Sequence, residues 1–224
     1  MKKLFVPVII AVAVLGMTSC GNNSTSNAGD AQEVAQAGEN SKSYVVNIDE
    51  SSLAWKATKK VSGGHEGIVK LSEGTLNVEN DAITAGNFVI DMNSIESTDL
   101  TEETGKSALE AHLKGTRKPE ENDHFFNVTK YPTSKFEITK ASKKEGNNYD
   151  VEGNLTIKDV TKNITIPAAI TFDGTTLNAD ADFTVNRKDF NVKYGTTDFD
   201  PTLLADKIIN DDIQFTLKLK ATAN

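Results

Sequence analysis

From Tyr44 onward the chain alternates apolar and polar residues with a period of two. Val151, Gly153, Leu155 and Ile157 are interleaved with Asp150, Glu152, Asn154, Thr156 and Lys158. The same rhythm runs through Ile164, Ile166, Ala168, Ile170 and Phe172, and again from Leu177 through Ala179, Ala181, Phe183 and Val185. It returns in Ile213, Phe215, Leu217, Leu219 and Ala221. A period of two sends successive side chains to opposite faces, so each row gives a strand with one buried face and one in water. A slip of one residue would turn a whole apolar row into solvent, which sets the register strongly. Further strands are predicted at 44–48, 53–61, 66–72, 74–79, 82–92 and 134–141. Short breaks such as Gly63-Gly64, Asn80-Asp81, Gly146-Asn147-Asn148 and Asp173-Gly174 join many of them as hairpins.

Two longer connections interrupt this meander. Residues 93–133 contain a predicted helix from Gly105 to Lys114, with Ala108, Leu109, Ala111, His112 and Leu113 on its apolar side. Residues 187–211 contain a predicted helical turn at Pro201–Asp206. Strands with one apolar face need a partner surface, which a two-sheet sandwich or a closed barrel supplies. Several strands run past the common five or six residues. Their length favours an all-β fold built as an elongated antiparallel barrel of about eight strands, wide enough for one small ligand. The helix sits on one connection of that barrel. An immunoglobulin-like sandwich is the competing solution, and alternation alone does not choose between them.

The N-terminus is organised differently. Met1-Lys2-Lys3 is a short positive stretch, followed by an apolar run from Leu4 to Leu15 and then Gly16-Met17-Thr18-Ser19-Cys20. This is the order of a secretory signal, residues 1–19, and its apolar run is too short to span a bilayer. The cysteine after a small pair resembles the bacterial lipoprotein signal, which implies acylation of Cys20 and a firm membrane anchor. The segment after Cys20, up to residue 43, carries one branched aliphatic residue, Val34, and no aromatic. Such a segment is expected to be a flexible linker, because it has too little apolar surface to offset its ordering entropy. The folded domain is then 44–224.

Charge and composition remove several function classes. A net charge of −8 opposes a general nucleic-acid binder, which needs a basic face for phosphates. One cysteine excludes an internal disulfide framework and any zinc site built on two or four thiolates. No HExxH, G-x-S-x-G, P-loop or dinucleotide glycine pattern is present, so no catalytic residue, metal or cofactor is predicted. His65, His112 and His124 are far apart in sequence. They read as a hairpin end, a residue packed beside Leu113 on the helix, and a loop residue before the Phe125-Phe126 pair. Asn186-Arg187-Lys188-Asp189-Phe190 follows a strand and puts two cations at a barrel end. One reading makes Arg187 and Lys188 a seat for a phosphate or other polar head group. The other pairs Arg187 with Asp189 in a structural turn.

Five local stretches carry a family resemblance. They are Leu53-Ala54-Trp55-Lys56-Ala57 with Gly63-Gly64-His65-Glu66-Gly67, Gly86 to Ile95, His112-Leu113-Lys114, the run from Phe125-Phe126 through Tyr131-Pro132 to Phe136, and Val151 to Lys162. In this order they resemble the YceI-like domain family over Tyr44 to Ala221. The resemblance implies a lipocalin-like barrel whose lumen holds a long isoprenoid lipid, such as a polyprenyl carrier or a quinone tail. Inward positions available to line such a lumen are Trp55, Phe88, Ile90, Phe136, Ile138 and Leu155, with Ile157, Ile166, Phe172, Phe183, Phe215 and Leu217. The expected function is a cell-envelope lipoprotein, anchored through Cys20 by default at the outer membrane facing the periplasm, that binds, sequesters or carries this lipid. The alternatives are a structural envelope protein whose core is filled, and an enzyme acting on an envelope lipid.

Overall fold

A computed structural model describes residues 28–224 of the protein. The predicted signal, Cys20 and the first residues of the linker lie outside the described residues. The strands are β1 (Gly29–Asp30), β2 (Lys42–Val46), β3 (Ser52–Thr58), β4 (Gly64–Glu79) and β5 (Ala82–Ser97), followed by β6 (Thr133–Lys143), β7 (Asn148–Ile157), β8 (Val160–Asp173), β9 (Thr176–Asn186) and β10 (Asp212–Ala223). One α-helix among the described residues, α1 (Lys106–Lys114), lies between β5 and β6.

From β4 to β10 each strand pairs antiparallel with the next in the chain. The other edge of β10 pairs β2 and β3, and both of those pair β4. β2 and β3 are two halves of one stave, separated by the 3-10 turn Ile48–Glu50. The sheet is therefore a closed eight-stave antiparallel barrel, which decides against the sandwich. The stretches read as separate strands at 66–72 and 74–79 are one strand, β4. Its register against β5 shifts between Leu71 and Glu73, so the inward row moves from Val69 and Leu71 to Gly74, Leu76 and Val78. A bulge of this kind adds a residue without ending the strand.

The two ends of the barrel differ. At one end the tight turns at Asn80-Asp81, 144–147 and Gly174-Thr175 sit above a packed floor that includes Tyr44, Val46, Leu76, Val78, Ile83, Leu177 and Ala221. At the other end, the mouth, lie both long connections, 98–132 and 187–211, and the helix. Helix α1 stops where Gly115 turns left-handed at φ 72° and its N–H reaches the carbonyls of Ala111 and His112. It is fastened to the end of β5 by the Glu110 carboxylate, which accepts from the Ser97 N–H at 3.0 Å, and by the Lys106–Glu96 pair at 2.7 Å.

Residues 29–41 depart from the expected flexible linker. They cross the outer wall of the barrel as a strap, from β8 over β7 and β6 to β5. Gly29 and Asp30 pair Asn163 and Lys162 of β8. The Asn154 side chain accepts from the Gln32 N–H at 2.9 Å and donates to the Gln32 carbonyl at 2.7 Å, so one amide imitates a strand edge. Ala35 N–H donates to the Ile138 carbonyl and Gly38 N–H to the Thr84 hydroxyl. Asn154 belongs to the outward row of β7 yet is only 4% exposed, because the strap covers it. Asn154→Ala leaves both Gln32 groups without their partner. It should lower unfolding free energy in urea by about 1–3 kcal/mol and raise hydrogen exchange in residues 30–38. Unchanged stability and exchange would mean that the strap is not held in solution.

Candidate functional site

The inward rows enclose a cavity of about 280 Å³ whose wall is almost wholly carbon. Along β9 it is lined from Leu177 to Val185, about 27 Å of strand at roughly 3.4 Å per residue. With staves tilted about 40° this is roughly 20 Å along the barrel axis. The floor is built from Leu76, Ile83 and Leu177 together with the edge-on pair Tyr44–Phe172, whose centroids are 6.3 Å apart. Eleven of the twelve residues predicted to line a lumen do line this cavity; Phe172 instead packs into the floor.

Several large inward residues are only half-buried, although Phe136, Ile138, Leu155 and Leu219 beside them are buried. Trp55, Phe88, Ile90, Ile157, Phe183, Phe215 and Leu217 all point inside, yet none reaches the burial of Leu177 or Ala221 on the floor, both 0% exposed. In a filled core, residues of this size at mid-barrel would be the most buried of all. Their remaining surface faces the cavity.

Local sequence explains how large rings leave the axis free. A Cβ on Gly153 would stand 2.3 Å from the Phe136 ring, and one on Gly67 would stand 2.6 Å from the Trp55 indole. Each glycine lets a ring lie flat on the neighbouring strand instead of crossing the barrel. The Trp55 indole N–H donates to the Ile68 carbonyl at 3.2 Å, which holds that ring against β4. Phe183 and Phe215 stack across the β9–β10 pair at 5.4 Å and 18°. These glycines belong to the G-H-E-G and V-E-G-N-L segments on which the family resemblance rests.

The mouth is ordered by groups that the sequence presented separately. Arg187 is 6% exposed, and its guanidinium donates to the carbonyls of Asn210, Val192, Tyr194 and Ile209 at 2.6–3.1 Å, with Asp211 at 3.7 Å. Four carbonyls accept from its N–H groups and the Asp211 carboxylate pairs with its charge, so Arg187 ties both ends of the 187–211 connection together. Lys188 pairs with Asp211 at 3.0 Å and Asp198 at 3.5 Å. Of the two readings of this stretch the structure shows a structural pairing, with Asp211 instead of Asp189 as the carboxylate beside Arg187, while Lys188 is shared between Asp211 and Asp198.

The histidines are also rearranged. His112 Nε2 and His124 Nδ1 are 2.9 Å apart, joining the helix to the loop that follows it. Tyr194 stacks on His124 at 4.5 Å and meets His112 edge-on at 4.8 Å, so the pair also joins the second long connection. His124 is therefore part of an aromatic clasp with Phe125 and Phe199, not an ordinary loop residue. His65 stands apart, bonded to Asp99 at 2.9 Å. Among the described residues no three His, Cys, Asp or Glu side chains converge as a metal site would require. Lys158, buried at the β7–β8 turn, pairs Asp123 at 2.7 Å and pins the same loop. Nothing in the alternation pattern signals these pairs, since each joins segments remote in sequence.

The sequence profile of the YceI-like domain family matches residues 44–221. A UPF0312 protein of Yersinia pestis is 33% identical over 133 residues, 57% of this chain and 60% of the relative. The chain thus spans about 60% of the length of the curated relatives it matches. Among solved structures, BcnA of Burkholderia cenocepacia superposes with a TM-score of 0.62 at 23% identity, covering 79% of this chain and 99% of BcnA. A polyisoprenoid-binding domain from Saccharophagus degradans gives 0.57 at 14% identity, covering 86% of this chain and 100% of the domain. At these identities both structures establish a shared fold.

The clasp makes a pH prediction. Burial holds the His112 imidazole below its ordinary value of 6.5; the Arg117 charge adds to this, Glu121 opposes it and His124 adds to it again. The unfolded chain takes up a proton near 6.5 that the folded imidazole resists, so stability is lost as pH falls below that value. Tm should decline from about pH 7.5 to about pH 5.5, and His112→Phe should flatten the decline. An equal slope in both proteins would contradict this role for His112.

Proposed function

The chain belongs to the YceI-like domain family, and we propose that its barrel is a vessel for a long isoprenoid lipid in the cell envelope. The observation that carries this reading is the carbon-walled cavity whose large inward residues stay half-buried around an open axis. Each buried CH₂ of a flexible tail gains about 0.8 kcal/mol against its own ordering cost. Such a wall offers an apolar tail shelter from water. That supports a role in binding, sequestration or transport.

The anchor fits the same reading. A leader ending at Cys20 would hold the protein to a membrane, and the strap begins on β8 beside Lys162 and Asn163, close to the mouth. The stretch from Cys20 to Gly29 reaches at most about 30 Å. An acylated Cys20 would therefore keep the mouth near the bilayer in which such lipids dissolve. Placement at the outer membrane facing the periplasm is part of this proposal.

Mass spectrometry of a solvent extract of the purified protein should give a prenyl lipid near one per barrel, and a lipid-free protein should take one up from solution. Ala181→Phe sharpens the test. Ala181 lines the cavity, so a ring placed there occupies lumen space. In a filled core that insertion costs about 1–3 kcal/mol or more. In a hollow barrel Tm should hold while lipid content falls. An empty wild-type protein that also ignores added lipid, with Ala181→Phe strongly destabilised, would contradict the proposal.

A further inference from the structure

Among the described residues one buried side-chain polar atom has no hydrogen-bond partner: the hydroxyl oxygen of Ser134. Ser134 is 3% exposed and stands in the inward row of β6, two residues before Phe136, and it lines the cavity. Across the strand pair it faces Ile90, and the next inward pair toward the floor is Phe88 with Phe136, whose rings are 6.3 Å apart. A buried hydroxyl in hydrocarbon without a partner is costly, and folded proteins rarely leave one so. Its neighbours offer it carbon. Ser134 lines the lumen, so a turn about its Cα–Cβ bond brings the hydroxyl to whatever occupies it.

Resting on the lipid-binding reading above, we infer that Ser134 hydrogen-bonds an uncharged oxygen of the lumen lipid, a hydroxyl or a carbonyl, drawn inside the barrel with the tail. Three observations converge on this. Ser134 sits at the second residue of β6, in the mouth half, so the polar end lies beneath the cap and the tail runs toward Leu177. The wall around it is carbon, which an ionised head group cannot enter without losing its hydration uncompensated. Arg187 and Lys188, the cations nearest that end of the barrel, already have their own partners. The lumen accordingly selects neutral oxygenated isoprenoids, such as a prenol or a quinone, over the corresponding phosphates. Ser134 is the positioning and specificity residue.

The test compares three probes on the wild-type protein and Ser134→Ala: squalene, which is all hydrocarbon, geranylgeraniol, and geranylgeranyl phosphate. In the wild type the alcohol should bind more tightly than the phosphate. Ser134→Ala should weaken the alcohol about tenfold, the worth of one buried hydrogen bond, and leave squalene unchanged. The lipid-free variant should melt no lower than the wild type, since it loses no bond within the protein. Alcohol binding indifferent to Ser134→Ala, or phosphate binding as tight as alcohol, would overturn the inference while lipid binding stood. Failure of all three probes, squalene included, would remove the lipid reading and this inference with it.

Discussion

The closing pairing of β10 is the constraint on which the rest of the molecule depends. One edge of β10 matches β9 from Asp212–Asn186 to Thr222–Thr176, and the other is shared between β3 and β2. A one-residue slip on either side would turn Ile213, Phe215, Leu217, Leu219 and Ala221 outward and put Asp212, Gln214 and Lys218 inside. The apolar row thus enforces the ladder, and the ladder closes the wall. Closure gives every stave a paired neighbour on both sides, and it creates an inside that belongs to no single strand.

An eight-stave barrel is only just wide enough for its own side chains to fill. Whether it stays hollow is decided by where the bulk goes. On the floor, Tyr44, Leu76, Leu177 and Ala221 meet and close the tube. Higher up, Ala179 and Ala181 contribute little volume, and Trp55 and Phe136 lie on Gly67 and Gly153 instead of meeting across the axis. The mouth is the part held by polar chemistry. Arg187 gathers four carbonyls, Glu110 holds the helix to β5, and the His112–His124–Tyr194 clasp joins the two long connections. The two ends are thus held differently, the floor by apolar packing and the mouth by polar and aromatic contacts.

Much of this was legible in the sequence because it is periodic. The rows of β7 to β10 and eleven of the twelve lumen residues follow from the period of two and the inward parity it fixes. The same logic failed at β4, where the bulge near Ser72 shifts parity and makes one strand read as two. It failed at residues 29–41 because that strap is held by Asn154, Thr84 and backbone groups, so a search for buried apolar surface passes over it. The sequence left Arg187 between a head-group seat and a turn with Asp189, because neighbouring residues do not disclose four carbonyls, two of them more than twenty positions away. Ser134 carries no signal of its own in the sequence, and the inward row of β6 places it inside.

The central claim is that the barrel encloses an open apolar axis, and diffraction from a xenon-pressurised crystal of the lipid-free protein measures that directly. Xenon enters dry hydrocarbon cavities and little else. Ordered xenon peaks between Leu177 and the Phe183–Phe215 pair, absent once lipid is loaded, are the predicted result. Side-chain density continuous across the axis, with no xenon inside, would contradict the account.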